Sequence, residues 1–207
     1  KVKKLWNLSR ETKIYFEETP FPFGLAFNQL DILTKYQKNY LKLDLERNLS
    51  ISKNNTSWSF RLFAGFGFPL TSNDSNLPFF KQYFGGGSTS MRGWPARGIG
   101  PGGLKLGTYK RNVFNERTGD IKLEMNVEYR TKVAEIIPNL LTLRWAFFAD
   151  IGNIWNWKPS YDSNGIKSDT SQFKLKNLYK HAGLSAGTGL RLDCNYVVLR
   201  LDFGFRF

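Results

Sequence analysis

Apolar and polar residues alternate with period two along most of this chain. Ile121, Leu123, Met125, Val127 and Tyr129 interleave with Lys122, Glu124, Asn126, Glu128 and Arg130. Leu141, Leu143, Trp145, Phe147, Ala149 and Ile151 interleave with Thr142, Arg144, Ala146, Phe148, Asp150 and Gly152. The last run sets Val197, Leu199, Leu201, Phe203, Phe205 and Phe207 against Val198, Arg200, Asp202, Gly204 and Arg206. Side chains of a strand point to opposite faces in turn, so each run predicts a strand with one greasy and one polar face. Earlier runs follow the same rule. Leu41, Leu43, Leu45, Leu49 and Ile51 lie opposite Lys42, Asp44, Glu46, Asn48 and Ser50. After the turn Lys53-Asn54-Asn55-Thr56, Trp58 to Phe68 alternates with Ser59, Arg61, Phe63, Gly65 and Gly67.

Residues 181–194 predict a glycine-rich strand carrying Leu184, Ala186, Thr188, Leu190 and Leu192 on one face. Thr12–Glu18 reads as extended, Gly24–Lys35 as a strand or a helical turn, and Asn156–Asn177 as a long polar loop. The total is about seven to nine strands with no long amphipathic helix, and no linker divides residues 1–207. Run lengths match the roughly 9–11 residues that a tilted strand needs to cross a bilayer core. The fold class expected is an all-β, antiparallel transmembrane β-barrel, with a soluble sandwich or small barrel as the alternative.

Composition sharpens that choice. The chain has 207 residues, 16% of them aromatic, including 18 Phe. Its mean hydropathy is nevertheless negative, and no apolar run is long enough for a membrane-crossing helix. Aromatic richness without long apolar runs is what alternating lipid-facing and lumen-facing positions produce. The net charge of +13 raises the question of nucleic acid. The basic residues are scattered, however, from Lys1, Lys3, Lys4, Lys35 and Lys38 through Lys122 to Lys158, Lys174, Lys176 and Lys180. They read as loop and lumen charge, and no nucleic-acid partner is expected. A soluble basic β-protein binding nucleic acid would leave a greasy face exposed on every strand.

Chemistry of bonds is not legible. One cysteine, Cys194, and one histidine, His181, cannot build a disulfide, a metal cluster or a nucleophile–base pair. Cys194 reads as a free thiol and His181 as a solvated loop residue, so no enzyme activity, cofactor or metal is expected. The most informative segment is instead Gly85-Gly86-Gly87-Ser88-Thr89-Ser90-Met91-Arg92-Gly93-Trp94, closed by Gly98-Ile99-Gly100-Pro101-Gly102-Gly103. Eight glycines in this stretch exclude a regular helix or strand. It lacks the Gly-Lys-Ser/Thr ending of a phosphate-binding loop, and no helix is predicted after it. Parity supplies the partners. If the odd-numbered apolar residues face lipid, Glu128 and Asp150 point inward, within reach of an arginine on a loop folded inside the barrel. A guanidinium fork suits two carboxylates and stays charged where water is scarce.

With its lead-in Leu77-Pro78-Phe79-Phe80-Lys81-Gln82-Tyr83-Phe84, this segment resembles the sixth-loop (Val/Met)-Arg-Gly-aromatic motif of the BamA/TamA (bacterial surface antigen) family of outer-membrane assembly barrels. Met91, Arg92, Gly93 and Trp94 occupy the motif, in wording nearest Bacteroidetes-type members. Val127-Glu128-Tyr129-Arg130 and Phe147-Phe148-Ala149-Asp150-Ile151-Gly152 resemble the two strands that carry the family's acidic partners. The resemblance covers residues 38–207 and is strongest over 77–155.

It implies a sixteen-stranded barrel preceded by periplasmic POTRA modules, of which this chain is a part. Phe203, Phe205 and Phe207 imitate the family's aromatic terminal signal, although Asp202 stands where glycine is usual and one further strand would follow. A start at Lys1 fits a mature or excised piece. The implied function is assembly and insertion of outer-membrane proteins in the bacterial outer membrane. The implied partners are membrane lipid, client outer-membrane proteins, and accessory lipoproteins or periplasmic modules. A two-partner-secretion export pore sharing the loop motif is the alternative.

Overall fold

The computed structural model describes residues 6–19, 39–70, 76–103, 117–138, 140–161, 167–194 and 196–207. Seven of its strands form one antiparallel sheet: β1 (Asn7–Thr19), β2 (Tyr40–Lys53), β3 (Thr56–Pro69), β4 (Ile121–Ile137), β5 (Leu141–Trp155), β8 (Gly183–Cys194) and β9 (Val198–Arg206). They lie in that order, each paired with its neighbour in sequence apart from the small ribbon β6 (Ser160–Tyr161) and β7 (Lys167–Ser168). The described sheet is open, with β1 and β9 at its edges. Among the described residues no helix is long and apolar enough to cross a membrane.

The alternation becomes two faces. One outer row runs across all seven strands through Leu8, Ile51, Trp58, Tyr129, Phe147, Thr188 and Phe203. Its aromatics pack on one another, with Trp58 and Tyr129 centroids 4.8 Å apart. Leu201, Phe203 and Phe205 remain 63%, 63% and 68% exposed. An apolar face this continuous has lipid as its natural solvent. The inner face is polar, and the row Ser59, Glu128, Phe148, Gly187, Gly204 lies one residue along from the outer one.

The connections are asymmetric. β2–β3, β4–β5 and β8–β9 turn within two or three residues at one end, whereas the connections 70–120 and 156–182 leave the other end. This is the pattern of outer-membrane barrels, in which short turns gather on one side. β4 and β5 slip register between Lys132 and Ala134 and again between Glu135 and Ile137, beside their short turn.

The stretch expected as a polar loop from Asn156 to Asn177 is partly packed. Trp157 donates its indole N–H to the Gly67 carbonyl at 2.6 Å and stacks on Phe68, centroids 5.0 Å apart. Phe173 meets Trp155 edge-on at 5.6 Å. Two aromatics among many polar residues, Trp157 and Phe173, thus fold the connection back onto the strand ends. Gly24–Lys35 lies outside the described residues. His181, expected to be solvated, sits half-buried at the end of the helical turn Leu178–His181. Burial lowers its pKa, with Lys180 adding to the effect.

Asp120, fully buried just before β4, accepts the Leu77 N–H at 2.9 Å and so fixes the start of the long 70–120 connection. Burial raises its carboxyl pKa to about 6, against hydrogen bonds that favour the anion. A raised pKa means the folded state holds this proton more tightly than the unfolded chain. Asp120 therefore contributes most below the ordinary aspartate range near 4, and that contribution is lost as pH rises through about 6. Thermal unfolding of the full-length protein between pH 4 and 7 should show this slope. Asp120→Asn, which keeps the acceptor oxygen, should flatten it; an unchanged slope would refute the assignment.

Candidate functional site

Residues 85–103 form a closed excursion lying on the inner face. Its base is pinned where Gly85 bridges Ile99, and its tip closes with Gly87 N–H donating to the Trp94 carbonyl at 2.8 Å. Gly93 turns the chain with φ +90°, a conformation that costs an L side chain dearly. The lead-in is held separately, with Tyr83 and Gly119 exchanging backbone hydrogen bonds at 2.8 and 2.9 Å. The Tyr83 hydroxyl donates to Asp44. Burial, with that carboxylate alongside, pushes the phenol well above the ordinary tyrosine range, so it remains a neutral donor.

β4 holds the loop along its length. Lys122 donates to the Phe84 carbonyl at 2.9 Å, and Asn126 to the Ser90 carbonyl at 2.8 Å. Between them Glu124 accepts from the Ser90 hydroxyl. The next inner position is Glu128, where Arg92 arrives. Four successive polar residues of one strand face thus bind successive points of the loop.

Arg92 is 7% exposed and makes the densest set of contacts. Its Nε donates to Asp150 Oδ2 at 3.0 Å and its Nη2 to Asp150 Oδ1 at 2.7 Å, a bidentate fork. Its backbone N–H also donates to Asp150 Oδ2, at 2.9 Å. Nη1 donates to Glu128 Oε2. The guanidinium carbon lies 3.8 Å from the centroid of the Phe148 ring, which forms a floor beneath it. Glu128 is shared further, accepting from Arg130 Nε at 2.6 Å and Arg191 Nη2 at 3.1 Å. A charge-assisted network of this kind, screened from water, fixes geometry more firmly than neutral bonds could.

The motif's other residues have distinct places. Met91, itself a loop residue, is fully buried. Trp94 donates its indole N–H to the Leu184 carbonyl at 3.1 Å, and Arg206 lies 5.6 Å from its ring. Phe203 and Phe205 point outward from β9, and Phe207 follows it with its N–H on the same Leu184 carbonyl at 3.0 Å. An open inner cavity of about 480 Å³ is lined by Ser88, Ser90, Arg92, Glu128 and Arg130 among others. Among the described residues no three His, Cys, Asp or Glu groups are placed to hold a metal ion.

The Omp85 superfamily domain matches residues 24–207. This chain belongs to the Omp85 superfamily. Over 108 residues, 50% of the chain, it is 28% identical to the outer membrane protein assembly factor BamA of Neisseria meningitidis serogroup B. The matched stretch is 12% of that relative's length. The superfamily match and the lipid-suited antiparallel sheet place this chain in the bacterial outer membrane and are consistent with part of a β-barrel.

Among the contributors to the loop site in this Omp85 domain that were not picked out from the sequence are Phe148, Ser90 and Arg191. Phe148 carried a signal, since it is an apolar residue on the charged face of its strand. Ser90 and Arg191 carried none, because each finds its partner across a distance in sequence that only the register defines. Asp202, noted only as a departure from glycine, pairs with Arg191, their nearest atoms 2.5 Å apart.

Proposed function

We propose that this Omp85 domain assists the folding and insertion of client outer-membrane β-barrels, and that the loop seated through Arg92 is the fixed internal element of that machine. The observation carrying this reading is a buried guanidinium engaging two carboxylates on adjacent strands while stacked on Phe148. A buried ion pair is a poor way to gain stability, because desolvation offsets most of the attraction. Its best-attested use is to specify one arrangement over others, here one seat for a glycine-rich loop that has no regular structure.

In this reading the loop stiffens the wall of β4, β5 and β8 while client strands are templated at the barrel seam, aided by local thinning of the membrane. The work is conformational, with no bond made or broken. Accessory lipoproteins or periplasmic modules deliver clients.

Glu128→Gln tests the role with little change of shape. It removes one charge from the seat, and a loss of about 1–3 kcal/mol in barrel stability is expected, with slower client assembly. Unchanged stability and unchanged assembly would sink the proposal. The match at superfamily level also fits an export pore. Steady ion conductance by the full-length protein in planar bilayers, with no effect on client folding, would favour that reading.

A further inference from the structure

From Arg200 to Arg206, the inner-face residues of β9 each meet the loop or a group tied to it. Arg200 Nη2 donates to the Ser88 carbonyl at 2.9 Å. Gly204 lies beneath Gly93 so closely that a Cβ there would be 2.7 Å from the Gly93 nitrogen. Arg206 approaches the Trp94 ring. Asp202 takes Arg200 Nη2 at 3.2 Å and Arg191 Nη1 at 2.5 Å, the latter an ion pair rather than a well-aimed hydrogen bond.

Arg191 closes the circuit. It is 1% exposed on β8, with Glu128 of β4 on one side and Asp202 of β9 on the other. The guanidinium crosses its own sheet because the intervening inner positions are small. Ala146 and Gly189 lie between Arg130 and Asp202 in one row, and a Cβ on Gly189 would come 2.7 Å from Arg191 Nη1. The contacts run from Asp150 through Arg92, Glu128, Arg191, Asp202 and Arg200 back to the loop at Ser88. Glu128 and Asp202 are each shared between arginines, so withdrawing Arg92 strengthens the pull of Glu128 on Arg191 and weakens the hold on Asp202.

We propose that Arg191 and Asp202 are positioning residues that tie the pairing of β9 to the seating of the loop, so that the loop and the β8–β9 hairpin loosen together. This inference rests on the reading that the loop is seated through Arg92 in the working protein. It makes the wall strand at the edge of the described sheet responsive to a loop that enters between β3 and β4, with β4, β5 and β8 lying between that loop and β9 along the chain.

Hydrogen exchange of the full-length protein in lipid nanodiscs tests it, with segments 85–94 and 198–206 as readouts and the β2–β3 ladder as reference. Asp202→Asn leaves Arg92, Glu128 and Asp150 intact. It should speed exchange in 198–206 by about tenfold, the worth of one charge-assisted hydrogen bond, and should speed segment 85–94 as well. Arg92→Lys should loosen the same two segments, and the double variant should loosen them by less than the sum of the two single effects. Arg191→Lys should be milder than Arg191→Gln. Arg92→Lys freeing the loop with 198–206 unchanged would overturn the tie and leave the seated loop standing. Arg92→Lys changing neither segment would overturn both.

Discussion

Arg92→Ala should destabilise the full-length barrel by about 3–5 kcal/mol, the largest effect expected of any single substitution in the site. Asp150 is the reason. Among the described residues every hydrogen bond and ion pair it makes is to Arg92, through the backbone N–H and both arms of the guanidinium. Alanine would leave that carboxylate buried without a counter-charge. Glu128 would fare better, keeping Arg130 and Arg191. Two further variants separate the contributions. Arg92→Lys retains a charge but loses the fork and the stack on Phe148, so an intermediate loss of about 1–3 kcal/mol is expected. Adding Asp150→Asn to Arg92→Ala should recover part of the loss, since the uncompensated charge is gone. The temperature at which the folded barrel's gel mobility is lost reads all three. Equal values for Arg92→Ala and the double variant would show that Asp150 does not depend on Arg92.

Gly204→Val should have the second largest effect, about 1–3 kcal/mol from overpacking, and should act on the loop from the opposite wall. Valine is a better strand residue than glycine, so local preference favours the variant. The contact forbids it. A Cβ at this position would lie 2.7 Å from the nitrogen and 2.9 Å from the Cα of Gly93, and 3.1 Å from the carbonyl carbon of Arg92. These are backbone atoms at the tip of the loop, with no flexible end to swing aside. Gly93 itself needs its positive φ, so the tip cannot re-fold locally to make room. Limited trypsin digestion at Arg92 and Arg97 gives the readout. The seated loop should resist cleavage, and Gly204→Val should be cut much faster while the strands stay intact. Equal cleavage rates would mean that the loop tip does not rest on β9.

The strands were legible because one face meets lipid. Ile121 to Tyr129 alternates without interruption and Leu141 to Ile151 does so apart from Ala146 and Phe148, and parity alone puts Glu128 and Asp150 on the face carrying Arg130 and Phe148. The loop lies on that same face. β1 was only half legible, as Thr12–Glu18 rather than Asn7–Thr19, because Arg10 and Thr12 stand at outer-face positions. Thr12 is opposite Arg47 and accepts its Nη1 at 2.7 Å, a polar pair that interrupts the greasy stripe of both strands. Hydrophobic periodicity has no way to register such a pair.

The site was legible in its center and opaque at its rim. Arg92 stands out because a glycine-rich loop surrounds it, and the two acids stand out by parity. Arg191 and Asp202 look like any other inner-face charges. Their meeting depends on the registers of β4, β5, β8 and β9 together, and on Ala146 and Gly189 leaving a gap between them. No local pattern encodes a contact assembled from four strands.

The central claim is that the loop must be seated by Arg92 for the domain to assist client folding. Its most direct test is insertion of a client β-barrel into lipid vesicles containing the full-length protein, comparing wild type with Arg92→Lys below the temperature at which either barrel unfolds. The account predicts that the folded client accumulates at least about tenfold more slowly with Arg92→Lys, the kinetic equivalent of losing one charge-assisted hydrogen bond. Insertion at the wild-type rate by a barrel that is folded but whose loop is free to proteolysis would contradict it.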